Sequence, residues 1–306
     1  MRREAKWRLS RTSKYVACVV IACAAAFFAA TLLATPSFGQ SAPRTHTLVG
    51  AGDIARCDSN ADEATARLVG NMRGTVFTLG DNVQGSGAAS EFRNCYAPSW
   101  GRFKNRTRPA VGNHEYYTPG ARPYYGYFGV RAGVSGRGYY SYKRGNWLIV
   151  VLNSNCDVIR CDRNSAQVAW LRQTLAANPT RCTAAMFHHP LFSTNAPTPN
   201  VRTLWRVLYN RKADIILNGH AHSYERFAPQ NPDGVRDLDR GIRQFVVGTG
   251  GAEPINPFGP RPKNSVVRND QTNGVMRLTL RNGSYNWKFV PVAGKTFTDS
   301  GGARCR

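Results

Sequence analysis

Acidic side chains are scarce in this 306-residue chain: 18 Asp and Glu stand against 41 Lys and Arg, for a formal net charge of +23. That balance excludes an acidic, solvating chain and favours anionic partners: phosphate esters, nucleic acid or an anionic cell envelope. No dense Lys/Arg cluster with interleaved aromatics is present, which argues against a specific nucleic-acid partner. Internal repeats and low-complexity tracts are missing, and so is any long charge run beyond the N-terminus. With 42% hydrophobic residues and plentiful glycine, the chain reads as globular and loop-rich rather than disordered. Cys-x-x-Cys pairs are absent too, so the cysteines do not read as a zinc site.

The first forty residues differ from the rest. Arg2, Arg3, Lys6, Arg8, Arg11 and Lys14 form a basic head, Val16 to Ala34 is uncharged, and a Pro/Ser/Gly spacer follows. That order is the layout of an export signal over residues 1–40. The apolar run is Ala-rich and only weakly hydrophobic, which points to cleavage, with small residues at Gly39-Gln40-Ser41. Its length approaches a membrane span, so a retained anchor is the alternative. The expected location is secreted or extracytoplasmic, or membrane-anchored if the segment stays. Without residues 1–40, which carry six Lys/Arg and one Glu, the net charge falls to +18.

Cysteine usage agrees with export. Beyond the apolar run lie Cys57, Cys95, Cys156, Cys161, Cys182 and Cys305, an even set that reads as disulfides. Cys156 and Cys161 bracket a short loop and read as a local pair. Cys57 with Cys95 and Cys182 with Cys305 would then follow, although sequence alone leaves the connectivity open.

From about Thr45 short apolar runs alternate with helical stretches. Thr47–Ala51 stops at Gly52-Asp53, Val76–Leu79 at Gly80-Asp81, and Arg108–Val111 at Gly112-Asn113-His114. Trp147–Leu152 is continuously apolar, as a strand buried on both faces would be. Cys182–Phe187 leads into His188-His189-Pro190, and Asp214–Leu217 into Asn218-Gly219-His220. Helices are expected over Asp62–Gly70, Ser165–Ala177 and Val201–Arg211, and strands again at Arg243–Gly248, Val275–Arg281 and Tyr285–Val290. The pattern predicts one α/β domain, residues 44–306, with two mixed sheets packed together and helices outside.

The recurring event is a buried strand that ends in glycine plus a polar, ligand-type residue. Layered α/β proteins gather their sites at such strand ends, where loops aim side chains without breaking the sheet. Five of the six histidines, all but His46, lie in these loops. A lone His is most often an ordinary residue and a lone Gly-Asp most often a turn; five such loops in one chain are not explained that way.

The ordered series Gly52-Asp53, Gly80-Asp81-Asn82, Gly112-Asn113-His114-Glu115, His188-His189-Pro190 and Gly219-His220-Ala221-His222 resembles the calcineurin-like metallophosphoesterases, and more narrowly the purple acid phosphatase branch. The resemblance runs over residues 45–306 and implies a four-layer αββα sandwich. It implies two metal ions per chain, with Zn, Mn and Fe as candidates that suit carboxylate and imidazole donors. Asp81 would bridge both ions. Asp53 and His222 would complete the first, and Asn113, His188 and His220 the second. Asn113 and His114 would meet the phosphate, and His114 would stabilise the transition state or protonate the leaving group. A metal-bound hydroxide would then attack phosphorus in line with the leaving oxygen. His189 is expected to be structural, while Glu115 and Arg226 would orient the loops.

The resemblance breaks at one place. Purple acid phosphatases carry an iron-ligating Tyr three residues after the bridging Asp, and Gln84 stands there. Other superfamily members place a His two residues after the first Asp, where Ala55 stands. Gln84 or a water would take the open place. The protein is therefore expected not to be purple, with a more weakly held first metal and a raised pKa for its bound water. The function this implies is hydrolysis of small phosphomonoesters outside the cytoplasm. Alternatives are a phosphodiesterase or nucleotidase with the same site, or a non-catalytic scaffold held to an anionic envelope. The variable loop Tyr116–Arg137, rich in Tyr, Gly and Arg, would either line the pocket or supply packing.

Overall fold

A computed structural model describes residues 45–306 apart from 254–256. The export signal expected over residues 1–40 lies outside the described residues. The described residues form one compact unit, and no described helix is long and apolar enough to cross a membrane.

The first sheet is built from β1 (His46–Ala51), β2 (Thr75–Leu79), β3 (Thr107–Ala110), β11 (Gly274–Arg281), β12 (Ser284–Pro291) and β13 (Ser300–Arg304), in the order β13-β12-β11-β1-β2-β3. β1, β2 and β3 run parallel, while β11, β12 and β13 are antiparallel neighbours. The second sheet contains β4 (Tyr140–Arg144), β5 (Trp147–Val151), β6 (Cys182–Met186), β7 (Ile215–Asn218), β8 (Tyr224–Phe227), β9 (Arg243–Val247) and β10 (Ser265–Asn269). Its order is β10-β8-β9-β7-β6-β5-β4, with β5, β6, β7 and β9 parallel. Both sheets are therefore mixed.

The run that was expected to be buried on both faces explains the layering. Along β5 every position is buried, and alternate side chains enter different cores. Trp147, Ile149 and Val151 share a cluster with Leu278, Leu280, Trp287 and Phe289 of the first sheet. Across that seam Trp147 meets Tyr285 at 5.8 Å, and Phe245 meets Trp287 at 5.4 Å. Leu148 and Val150 point the other way, onto helices α4 (Ala166–Ala177) and α5 (Arg202–Asn210), through Val168, Leu171, Leu204 and Trp205. Ser165 caps α4 by accepting a hydrogen bond from Val168 N. On the far side, α1 (Ala61–Gly70) covers the first sheet with Ala66 and Val69. The single turn α2 (Ala89–Glu91) and α3 (Arg122–Phe128) carry the intervening loops.

Two buried polar nodes tie the layers. Asp299 accepts from Tyr224 Oη at 2.6 Å, Trp287 Nε1 at 3.1 Å and Arg226 Nε at 2.7 Å, joining β8 to β12. Arg226 thus serves the sheet seam rather than the histidine loops. Asp214, at the start of β7, accepts from Thr183 N at 2.8 Å and Arg306 N at 2.9 Å. Beside it Cys182 pairs with Cys305, and the other disulfides are Cys57–Cys95 and Cys156–Cys161.

Burial pushes Asp214 up to about 6, against the N–H donors that pull it down. A carboxyl with a raised pKa stabilises the fold below its ordinary pKa near 4, and that contribution is lost as pH rises through 6. Urea titrations of wild type and Asp214→Asn at pH 4 and pH 7 should converge or diverge accordingly. The wild type should lose about 3 kcal/mol relative to the variant over that window; parallel pH profiles would refute the assignment. Replacing both Cys182 and Cys305 with Ser opens a loop of 123 residues. It should cost about 3–5 kcal/mol, read as a fall in Tm of roughly 10 °C.

Candidate metal centre

Parallel strands deliver their carboxyl ends to one edge. β1, β2 and β3 deliver Asp53, Asp81 and Asn113; β6 and β7 deliver His188, His189, His220 and His222. The two sets are stitched across the sheets. Gly52 N donates to Val247 O at 2.8 Å, and Gly250 N to Gly52 O at 2.9 Å. His188 Nδ1 lies 2.7 Å from Leu79 O.

Close approach requires glycine at the strand ends. A Cβ on Gly112 would lie 2.1 Å from Asp81 Oδ1, and one on Gly80, at φ +86°, 2.5 Å from His188 Nδ1. Asp53, Asp81 and His220 themselves take positive φ values of 59°, 47° and 70°. Left-handed backbone costs a non-glycine residue of order 1–2 kcal/mol, and here three such positions meet in one site. A strand would also place residues two apart on one face; the turn at His220 instead sets its ring 5.0 Å from that of His188 and 4.4 Å from that of His189, while His222 Nε2 reaches Asp53 Oδ1.

Glu115 ties the loop after β2 to the loop after β3. Its fully buried carboxylate accepts from Asp81 N at 3.1 Å, Asn82 N at 2.7 Å and Gly112 N at 2.6 Å. Asp81 Oδ1 in turn accepts from His114 N at 3.0 Å, and Asp53 Oδ2 from His220 N at 2.8 Å. Sequence reasoning named Glu115 only as a loop-orienting residue; its place inside the Asn-His-Glu motif was the available signal.

The imidazoles have assignable tautomers. A carbonyl oxygen can only accept, so His188 Nδ1–H donates to Leu79 O, His222 Nδ1–H to Glu253 O, and His114 Nδ1–H to Gly85 O. Each Nε2 is left facing the acids. His188 Nε2 lies 3.2 Å from Asp81 Oδ2 and 2.9 Å from Asn113 Oδ1. His222 Nε2 is 3.4 Å from Asp53 Oδ1, and His114 Nε2 is 3.8 Å from Asp81 Oδ2. Asp53 Oδ1 is buried and receives no hydrogen bond.

In the neutral tautomers electron pairs point at one another, so either a proton on Nε2 or a metal ion must lie between them. Burial alone would lower the pKa of His188, yet Asp81 and Asp53 carry it up to about 9. His222 is likewise raised against its burial, by Asp53. Burial would raise Asp81, but His188 and His114 hold it well below the usual carboxylate range. Burial and the His188 charge lower His220 to about 4 and His189 to about 2, leaving both neutral, the ligating form. Donor atoms of Asp53, Asp81 and His188 fall within 4.8 Å of one another, as do those of His188, His189 and His220. Carboxylates, neutral imidazoles and an orphaned buried oxygen fit divalent or trivalent metal ions.

His189, expected to be structural, has its ring 4.4 Å from that of His220, and its Nδ1 meets Ser154 Oγ at 3.0 Å. Gln84 donates from Nε2 to Asp81 O at 3.4 Å and lines a cleft with His222, Arg56 and Asp58. The Tyr116–Arg137 loop divides: Tyr116 and Tyr117 line a cleft beside Asn113, whereas Tyr124, Tyr125 and Phe128 are core packing.

A family model described as calcineurin-like phosphoesterase matches residues 46–224, a span that carries every strand-end loop of the site. The chain belongs to that family. Purple acid phosphatase 15 of Arabidopsis thaliana is 25% identical over 208 residues, covering 55% of this chain and 38% of that protein. The chain spans less than half the length of the curated relatives it matches. Purple acid phosphatase PPD1 from yellow lupin seeds superposes with a TM-score of 0.69 at 18% identity, over 86% of this chain and 54% of that one. GAP50, the anchor in the inner membrane complex of Plasmodium, gives 0.62 at 14% identity, over 86% and 89%. At those identities the likeness concerns the fold: a calcineurin-like phosphoesterase built of two mixed sheets.

Glu115→Gln replaces an acceptor-only group with one that turns N–H donors toward N–H donors. It should lower stability by about 2–4 kcal/mol and reduce the bound metal measured by elemental analysis. Unchanged unfolding and unchanged metal content together would show that the two loops do not depend on it.

Proposed function

We propose that this protein is an exported phosphomonoesterase that works with two metal ions. The observation that carries the reading is the convergence of Asp53, Asp81 and His188 within 4.8 Å. His220, His222 and Asn113 stand around them and His114 faces the same carboxylate. In this reading Asp81, Asp53 and His222 would hold one ion, and Asp81 with Asn113, His188 and His220 would hold the other. When bound, the ions supply Lewis acidity toward phosphate oxygens and make a water acidic enough to serve as nucleophile.

The chain's own residues do the rest. Gly85 O holds the proton of His114 on Nδ1, so Nε2 is the atom that can carry a second proton to a leaving oxygen. Next to Asn113 a cleft of about 290 Å³ is lined by Tyr116, Tyr117, Asn155, Asp157 and Asn200. It offers amides, phenols and one carboxylate, and no Lys or Arg. Such a lining suits an uncharged polar leaving group and disfavours a second anionic phosphate, which supports a monoester over a polyanionic substrate. Export is supported by the three disulfides.

The second reading, a non-catalytic scaffold, has GAP50 as its structural parallel. Retention of Asp53, Asp81, Asn113, His114, His188, His220 and His222 favours the enzyme over the scaffold, against the one lost ligand position at Gln84.

The deciding assay is hydrolysis of a chromogenic phosphomonoester and the matching diester by chelated protein resupplied separately with Zn, Mn and Fe. Activity should return with metal, favour the monoester and vanish in Asp81→Ala. His114→Ala should lower kcat by about 10²–10⁴ with metal content unchanged. The Fe-loaded protein should lack the purple band, since Gln84 cannot supply a phenolate. Folded protein inactive with every metal would pass the case to the scaffold reading.

A further inference from the structure

The basic excess of this protein is not spent at its metal centre. Of the two clefts that share residues with the site, one contains no Lys or Arg. The other contains only Arg56, which is paired with Asp58 at 2.7 Å and Glu253 at 3.3 Å. A charge of +18 must therefore lie elsewhere.

Between α4 and α5, on the outer helical layer, a cavity of about 670 Å³ has Arg163, Arg172, Arg206 and Arg211 on its walls. It shares no lining residue with the metal centre. The sequence builds it deliberately. Thr203, Arg206, Val207 and Asn210 recur at the spacing of one helix face, with Val207 buried as the floor. Arg172 rises opposite from α4, and its Nη1 donates to the main-chain carbonyl of Arg163 at 3.1 Å, which anchors the Arg172 guanidinium beside the Arg163 backbone. All four guanidinium-bearing residues are exposed.

The acids nearby do not neutralise them. Asp162, the single acid in the lining, is taken by Arg160 at 2.8 Å and by Asn164 N at 2.9 Å. Asp233 lies 3.7 Å from Arg206 but also 3.5 Å from Arg202, in an exposed arrangement that contributes little. Among the described residues Arg163 and Arg211 have no ion pair. Four guanidinium groups, with a hydroxyl and an amide from Thr203 and Asn210, match several phosphate groups bidentately. No aromatic side chain lines the cavity, so it has no platform on which a base could stack.

We propose that this cleft is a second anion site, which binds a linear phosphate polymer without bases and holds the enzyme on it. The reading is independent of catalysis: the cleft stands whether or not the metal centre hydrolyses monoesters. Fluorescence anisotropy with end-labelled inorganic polyphosphate tests it, with chain length checked on a gel after each measurement. The cleft variant is Arg163→Ala, Arg172→Ala, Arg206→Ala and Arg211→Ala together. Its charge-matched control is Arg73→Ala, Arg93→Ala, Arg236→Ala and Arg281→Ala, four exposed arginines elsewhere.

Polyphosphate affinity should fall at least tenfold in the cleft variant and less than threefold in the control. The slope of log K against log salt should shrink by roughly 3 in the cleft variant. Monoester turnover and Tm, measured on the same samples, should be unchanged in both. Equal loss in the two variants would mean diffuse attraction and overturn the proposal. So would a single-stranded oligonucleotide that binds the cleft more tightly than polyphosphate of matched charge.

Discussion

Asp53 and Asp81 are buried at the seam between two sheets, and among the described residues their ion-pair partners are imidazoles alone. Burying a carboxylate is costly unless hydrogen bonds and an opposite charge accompany it. Backbone N–H groups supply the hydrogen bonds: His114 N to Asp81 and His220 N to Asp53. The opposite charge comes from a proton on imidazole, as Asp81 and Asp53 hold His188 up to about 9, or from metal ions that would take that proton's place at the Nε2 atoms. The cluster is therefore organised around cations, and the surrounding structure keeps its acceptors from moving apart.

That requirement runs outward into the fold. Loops from β2 and β3 are gathered by the Glu115 carboxylate, which replaces water as the acceptor for three main-chain donors. The two sheets are hydrogen-bonded at Gly52–Val247 and Gly250–Gly52, beside Asp53. The positive φ values at Asp53, Asp81 and His220 are strain that the packed sheet edges over-determine. A side chain on Gly80 or Gly112 would have to displace His188 or Asp81, so the glycines are part of the ligand geometry as surely as the donors are.

Much of this was legible because buried strands announce both themselves and their ends. β1, β2, β3, β5, β6, β7, β9, β11 and β12 follow from short strand-like runs, and the three longer helices from 3.6-residue periodicity. The strands without that signal lie at sheet edges or in polar surroundings. β13 is Ser-Gly-Gly-Ala-Arg, whose place comes from pairing with β12 alone. β10 is mostly exposed or half-buried, and β8 carries the inward Glu225 that binds Thr194 and Ser265. The chain order of the second sheet, with β9 between β7 and β8, depends on long-range pairing that no local window contains. Within the site, residue types and order were readable. The packing of His189 on His220, and Arg226 turning to Asp299 instead of the loops, were not, since both depend on side chains from distant segments.

The distribution of charge separates two tasks that composition alone merges. If the arginines existed to draw phosphate esters to the metals, they would crowd the adjacent clefts unpaired. Instead the one arginine there is held by two acids, and Glu91 and Asp157 line the same clefts. Fields from exposed charges fade beyond about 8 Å at physiological salt, so arginines on the outer helices do little to raise phosphate concentration at Asp81. On the proposed reading the metal site would select its substrate by short-range contact, through donors and cleft shape, and the basic surface would answer to a larger anion. Under that proposal attachment to a polyanion and turnover of a small ester would not interfere, because the cleft between α4 and α5 and the metal centre have no residue in common.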